Sequence, residues 1–179
     1  MKLNDLLSHS SEWLKGIGPN SDIIISSRIR LARNLQGRPF PHWANKAQSE
    51  ENAAAIFAAS QKVDLLKNNT IFKLLEMDNV DKQFLVERHL MSRELISKTD
   101  SKAVIIDNDE IISIMVNEED HLRMQVMKSG FDLLDAWEIM NRIDDLLSKE
   151  LNFAFSADLG YLTACPTNTG TGMRGSVML

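Results

Sequence analysis

The sequence predicts an α+β protein: a mainly antiparallel sheet with helices packed on one face. Three observations predict it. β-Branched runs come in hairpin-like pairs, above all "KAVIIDNDEIISIMV", where an Asp-Asn-Asp turn separates two apolar strands. Long stretches of helical period stand between these strand groups. Two strands alternate polar with apolar residues, so one sheet face is left polar, and that open face is the expected working face.

The elements follow in order. A short lead, residues 1–21, carries Leu3, Leu6, Leu7, Trp13 and Leu14 at amphipathic spacing and stops at "GIGPNSD". From Asp22, "DIIISSRIRL" reads as a strand with Ile24, Ser26, Arg28 and Arg30 on one face and Ile23, Ile25, Ile29 and Leu31 on the other. "GRPFPHW" is a loop. The Ala-rich segment from about Gln48 to Leu66 is a helix, and a second is expected from Asp81, as its cap, to about Ile96. After the hairpin, "HLRMQVM" continues the sheet, with His121, Arg123 and Gln125 alternating against Leu122, Met124 and Val126. From Asp132 to Lys149 the residues Leu133, Ala136, Trp137, Met140, Ile143 and Leu147 form one helical stripe that packs on the sheet.

Composition narrows the class. With 179 residues, 44% of them hydrophobic, the chain can bury one good-sized core. No apolar run reaches the ~18 residues of a membrane span, and Asn4, Asp5 and Ser8 interrupt any signal-like core, so the expected compartment is the cytoplasm. One cysteine excludes an internal disulfide framework, and four scattered histidines give no zinc spacing, so no structural metal is expected. A net charge of -5 argues against general nucleic-acid binding, and no aromatic residue interleaves Arg28 to Arg33 as a base-stacking surface would require.

Three constellations carry chemistry. In "SSRIRLARN", period two aims Arg28 and Arg30 to one side about 7 Å apart, with Ser26 below them and Arg33 close by. Parallel guanidinium forks repel unless an anion lies between them, and phosphate fits. The alternative is a solvated strand face. In "NEEDHLR", Glu118, Glu119 and Asp120 lie between an apolar strand and one carrying Arg123, where carboxylates can hold and deprotonate a cationic nucleophile. The alternative is a surface turn. In "CPTNTGTGMRGSVML", Gly170 and Gly172 let backbone N–H groups approach an anion, Thr169 and Thr171 add hydroxyls and Arg174 adds a fork. Cys165 is either a small buried residue or a thiolate favoured by nearby arginines.

Taken in order, "SSRIRLARN", "ERHLMS", "NEEDHLR" and "LGYLTACPTNTGTGMRGSVML" resemble the catalytic domain of the ATP:guanido phosphotransferases, most closely the bacterial protein-arginine kinases. The resemblance covers about Asp22 to Leu179 and implies a guanido-kinase/glutamine-synthetase-like fold. It implies transfer of the γ-phosphoryl group of ATP, with Mg2+, to arginine side chains of proteins. By the same resemblance Ser26, Ser27, Arg28, Ile29 and Arg30 cradle the phosphates, joined by Arg123, Arg174, Gly175, Ser176, Val177 and Met178, with His89 near the nucleotide. Glu119 then orients and deprotonates the guanidinium, Glu118 and Asp120 assist, through the magnesium shell or otherwise, and Cys165 contacts the acceptor. Family resemblance also suggests a role in bacterial stress response, a zinc-binding activator, Clp-type protease machinery and a homodimer. Phosphagen kinases of small guanidines resemble one another in an additional helical domain before the first arginine motif. Only about twenty residues precede that motif here, which favours a protein acceptor. The rest of the catalytic half is expected to follow Leu179, so 22–179 reads as the N-terminal portion of that domain. A non-catalytic nucleotide-binding or regulatory fragment and a small-guanidine kinase are the competing readings.

Overall fold

The computed structural model describes residues 10–97 and 100–179. Leu3, Leu6 and Leu7 of the expected amphipathic lead lie outside these residues. Trp13 lies within them, buried, its ring edge-on to His89 at 5.4 Å between centroids.

Six strands form one antiparallel sheet in the order β2-β3-β4-β5-β1-β8. They are β1 (Ser26–Arg33), β2 (Thr70–Lys73), β3 (Ala103–Ile106), β4 (Ile112–Val116), β5 (Leu122–Ser129) and β8 (Met173–Met178). A separate two-residue hairpin, β6 (Phe155–Ser156) with β7 (Gly160–Tyr161), precedes β8. The central place of β1, between β5 and β8, is the topological fact that builds the site.

Helix α1 (Lys46–Lys62) begins two residues earlier than Gln48 because Asn45 and Gln48 close a reciprocal capping box. With helix α4 (Leu133–Leu147) it covers one sheet face. Ile29, Leu31, Ile105, Ile114, Met124 and Val126 project from the strands into this layer, where Ile56, Ala136, Met140 and Ile143 meet them. Period two on the strands and 3.6 on α4 thus point at the same core.

The expected single helix from Asp81 to Ile96 is two. Helix α2 (Asn79–Glu87) is capped by Asp78, whose carboxylate accepts from the Asp81 amide at 2.8 Å; Asp81 sits inside the first turn. The chain then breaks at His89, which has φ 58°, and resumes as the one-turn α3 (Arg93–Ile96), capped by Ser92. Leu85, Leu90, Leu95, Val104, Ile106 and Met115 form a second core there. The helices are therefore divided: α1 and α4 on one face, α2 and α3 over the β3–β4 end of the other. The β5-β1-β8 end of that second face stays open, as the polar alternation predicted.

Candidate active site

Sheet register decides which side chains meet. Arg28 is opposite Met127 and Ser176, Arg30 is opposite Gln125 and Arg174, and Ala32 is opposite Arg123. Arg28, Arg30, Arg123 and Arg174, from three adjacent strands, thus project from the same open face. Like charges directly across a ladder destabilise it, and little here offsets them. Among the described residues only Arg123 of these four has a carboxylate partner, donating to Glu118 at 2.8 Å. The Arg30 Nε is buried without an acceptor. Burial first, then Arg28, Arg123 and Arg174, push the Arg30 guanidinium down to about 10. Burial, then Arg123 and Arg174, lower Arg28 as well. Such a cluster has the charge and the fork geometry to take up a polyanion.

Two of the cavities at this face share Arg30 and Arg123. One is bounded by Arg28, His89, Ser92 and Gln125. The His89 ring is kept below its ordinary pKa by burial and by Arg28, and its carbonyl accepts from Gln125 Nε2 at 2.5 Å. The left-handed backbone at His89 turns the chain at the cavity rim.

The other cavity is bounded by Glu119, Cys165, Thr167, Asn168 and Arg174. Its carboxylates come from the tight β4–β5 connection, closed by the Asn117 amide donating to the His121 carbonyl. The three acidic residues have separate surroundings. Glu118 is buried, accepting from Arg123 and from the Ser92 hydroxyl. Asp120 is buried, with Oδ1 accepting from Asn34 Nδ2 at 2.5 Å and from the Ala164 amide at 2.7 Å, so it ties down the chain beside Cys165. Glu119 alone of the three is exposed. Partial desolvation of its carboxyl first, then Asp120 and Glu118, raise it above the ordinary glutamate pKa, while Arg123 and His42 pull it down. Cys165 Sγ lies 3.0 Å from Thr167 Oγ1 and faces the same cavity.

Several residues expected at the site point elsewhere. Ser27 and Ile29 have the opposite parity to Arg28 and face the helices. The Ser27 hydroxyl donates to the Gly130 carbonyl at 2.7 Å, and Ile29 is core. Gly175 faces Ile29 and Leu133, and Val177, opposite Ser27, is on that side too. Ser176, Met178 and Ser26 remain on the arginine face. Gly170 and Gly172 do not form an anion cradle: the Gly170 amide bonds the Tyr161 carbonyl, and a Cβ on Gly172 would lie 2.5 Å from Arg33 Nη1. Their lack of side chains serves close backbone approach instead.

Arg33 is the largest departure. It belongs to the helix face, where Nε and Nη2 donate to the two Asp144 oxygens at 3.0 and 2.7 Å. Its Nη1 donates to the Ala32 and Thr171 carbonyls, and its guanidinium carbon sits 3.5 Å over the Tyr161 ring. It therefore braces the loop that leads into Arg174. Odd parity relative to Arg28 and Arg30 signalled this placement, whereas Asp144 and Tyr161 as its partners carried no sequence signal.

Residues 50–179 match the sequence pattern of the ATP:guanido phosphotransferase C-terminal catalytic domain. The chain belongs to that family. Among its guanido phosphotransferase relatives, a protein-arginine kinase of Pelotomaculum thermopropionicum is 49% identical over the whole chain, which covers 51% of that protein. A protein-arginine kinase of Symbiobacterium thermophilum is 47% identical, again over the whole chain and 52% of the relative. The chain thus spans about half the length of the curated relatives it matches. In structure it is similar to the duplicated taurocyamine kinase of Schistosoma mansoni with bound transition-state-analogue components, at a TM-score of 0.82 and 28% identity, covering 98% of this chain and 26% of that one. A lombricine kinase gives 0.77 and 25%, covering 85% and 46%. Within the guanido phosphotransferase chain, β1 precedes the matched segment yet is the middle strand of its arginine face.

Proposed function

We propose that the intact protein is a protein-arginine kinase, transferring the γ-phosphoryl group of Mg-ATP to arginine side chains of proteins. One observation carries it: a cluster of four guanidiniums, three without a carboxylate partner among the described residues, separates a cavity at His89 from one holding Glu119 and Cys165. The relatives' names and the extent of their identity support arginine on a protein as the acceptor. The whole of 22–179 then acts as one catalytic portion, since β1 supplies two of the four arginines.

In this reading the triphosphate of the substrate lies over Arg28, Arg30, Arg123 and Arg174, with the nucleoside toward His89. Magnesium enters with the nucleotide as part of the substrate. The acceptor guanidinium enters beside Cys165. Glu119 accepts its N–H groups, holds one nitrogen in line with the γ-phosphorus and takes the proton as the N–P bond forms and the bond to the ADP oxygen breaks. A protonated guanidinium is a poor nucleophile, and a carboxylate kept above its ordinary pKa is a better base for it. Asp120 acts through the chain it fixes at Ala164, and Glu118 through Arg123. A cytoplasmic stress-response setting, a zinc-binding activator, Clp-type machinery and a homodimer complete the proposal, on family resemblance alone.

The test is incubation of the intact protein with Mg-ATP and an unfolded protein acceptor, followed by mass spectrometry at a pH that preserves N–P bonds. Phosphoarginine on protein is the expected result. Turnover of free creatine, taurocyamine or arginine with none on protein would replace the proposal with a small-guanidine kinase.

A further inference from the structure

The segment between β1 and α1, residues 37–43, carries an aromatic cluster that has no part in the phosphate chemistry. Phe40 and His42 stack at 6.2 Å between ring centroids, and Trp43 meets His42 at 4.8 Å and Phe40 at 6.4 Å. The Trp43 side chain is 74% exposed, so these rings add little to the core. Yet their backbone is firmly held. The Trp43 and Ala44 amides both bond the Phe40 carbonyl, Arg38 donates to Asn52 at 2.7 Å, and the Pro39 carbonyl lies 3.0 Å from His121 Nε2.

That last contact fixes the location. His121 Nδ1 accepts from the Leu35 amide at 3.0 Å, and its Nε2 lies 2.8 Å from Asn52 Nδ2 and 3.0 Å from the Pro39 carbonyl. His121 follows the acidic triplet directly, so the loop is pinned two residues from Glu119. His42 is near enough to act electrostatically on the Glu119 carboxyl. Rings held on a fixed backbone near the Glu119 carboxylate, His42 and Trp43 exposed and Phe40 partly so, are the composition of a peptide-binding surface: aromatic contact gives affinity at low entropic cost, and the carboxylate attracts a cation.

We infer that Phe40, His42 and Trp43 form a docking platform for the polypeptide flanking the acceptor arginine, favouring an unfolded segment with an aromatic or aliphatic side chain a few residues away. The inference rests on the proposed protein substrate. A free guanidine would reach Glu119 without touching the rings, whereas an extended chain advances about 3.3 Å per residue and passes over them.

Two fluorescent peptides separate the outcomes: one central arginine flanked on both sides by phenylalanine at the second to fourth positions, and the same peptide with glycine and serine there. Binding to the intact protein with Mg-ADP is followed by anisotropy. The phenylalanine peptide is expected to bind about tenfold more tightly, with Trp43→Ala abolishing the preference and Trp43→Phe retaining most of it. Equal affinity for the two peptides, failure of the phenylalanine peptide to bind, or a preference that survives Trp43→Ala would overturn the inference. Phosphorylation is scored separately on both peptides. A Trp43-dependent preference without phosphoarginine refutes the kinase reading and leaves the platform standing; phosphorylation of both peptides without preference does the reverse.

Discussion

Replacing Arg30 with methionine should make the nucleotide-free protein more stable while removing its hold on nucleotide. Arg30 is half-buried, directly opposite Arg174, and its Nε has no acceptor. Its guanidinium is lowered to about 10, by burial first and then by three other arginines. A lowered arginine pKa means that folding disfavours the charged form, so at neutral pH the charge costs the native state stability. At about 1.4 kcal/mol per pKa unit the ceiling is roughly 3 kcal/mol. Solvent screening of a half-exposed group reduces that to about 1 kcal/mol. Methionine keeps an unbranched apolar stem on the strand and removes only the charge. Urea unfolding of the intact protein at low salt should show the variant about 1 kcal/mol more stable, with the gain shrinking at high salt. Mg-ATP at one hundred times its Kd should stabilise the wild type by about 2.7 kcal/mol and the variant hardly at all. A well-folded Arg30→Met protein that is less stable at low salt, or that keeps the nucleotide effect, would refute the idea that this cluster is held in a repulsive state for a polyanion.

Three other outcomes follow from the same geometry. Glu119→Gln should lower turnover by about 10²- to 10⁴-fold at unchanged nucleotide affinity; because the Glu119 carboxyl is raised, the acid limb of the wild-type pH–rate profile should lie above the ordinary glutamate range. His121 is pushed down to about 4, chiefly by burial, so the unfolded state binds the extra proton and stability should fall as pH drops from about 6.5 toward 4. Denaturant titrations of wild type and His121→Gln across that window should show a steeper loss for the wild type. Asp144→Asn leaves the Arg33 guanidinium without its bidentate partner and should cost about 3–5 kcal/mol, read as a lower urea midpoint.

Much of the site was legible because strand periodicity is a local property. Parity along "SSRIRL" and "HLRMQV" put Arg28 with Arg30 and Arg123 with Gln125 before any fold was known, and the same parity excludes Ile29 from that face. The helix stripe in α4 was legible for the same reason, its apolar residues recurring every three or four positions. The break at His89 was less so: "VERHLMS" has ordinary helical propensity, and the left-handed turn is held by packing of Leu90 and Met91 under the sheet.

What the sequence by itself determined was therefore the parity of β1 and β5, the two main helices and the residue types capable of phosphoryl and guanidinium chemistry. What only the tertiary structure decided was the order of the strands. Nothing local requires β1 to lie between β5 and β8, yet that order sets Arg30 beside Arg174, gives Asp120 the loop of Cys165 to hold, and leaves Glu119 as the exposed carboxylate. Strand neighbours are chosen by the burial of Ile29, Leu31, Met124 and Val126 under α1 and α4, a sum over residues far apart in the chain. The repulsion among the four arginines is a by-product of that burial, outweighed by the apolar layer on the opposite face of the same strands.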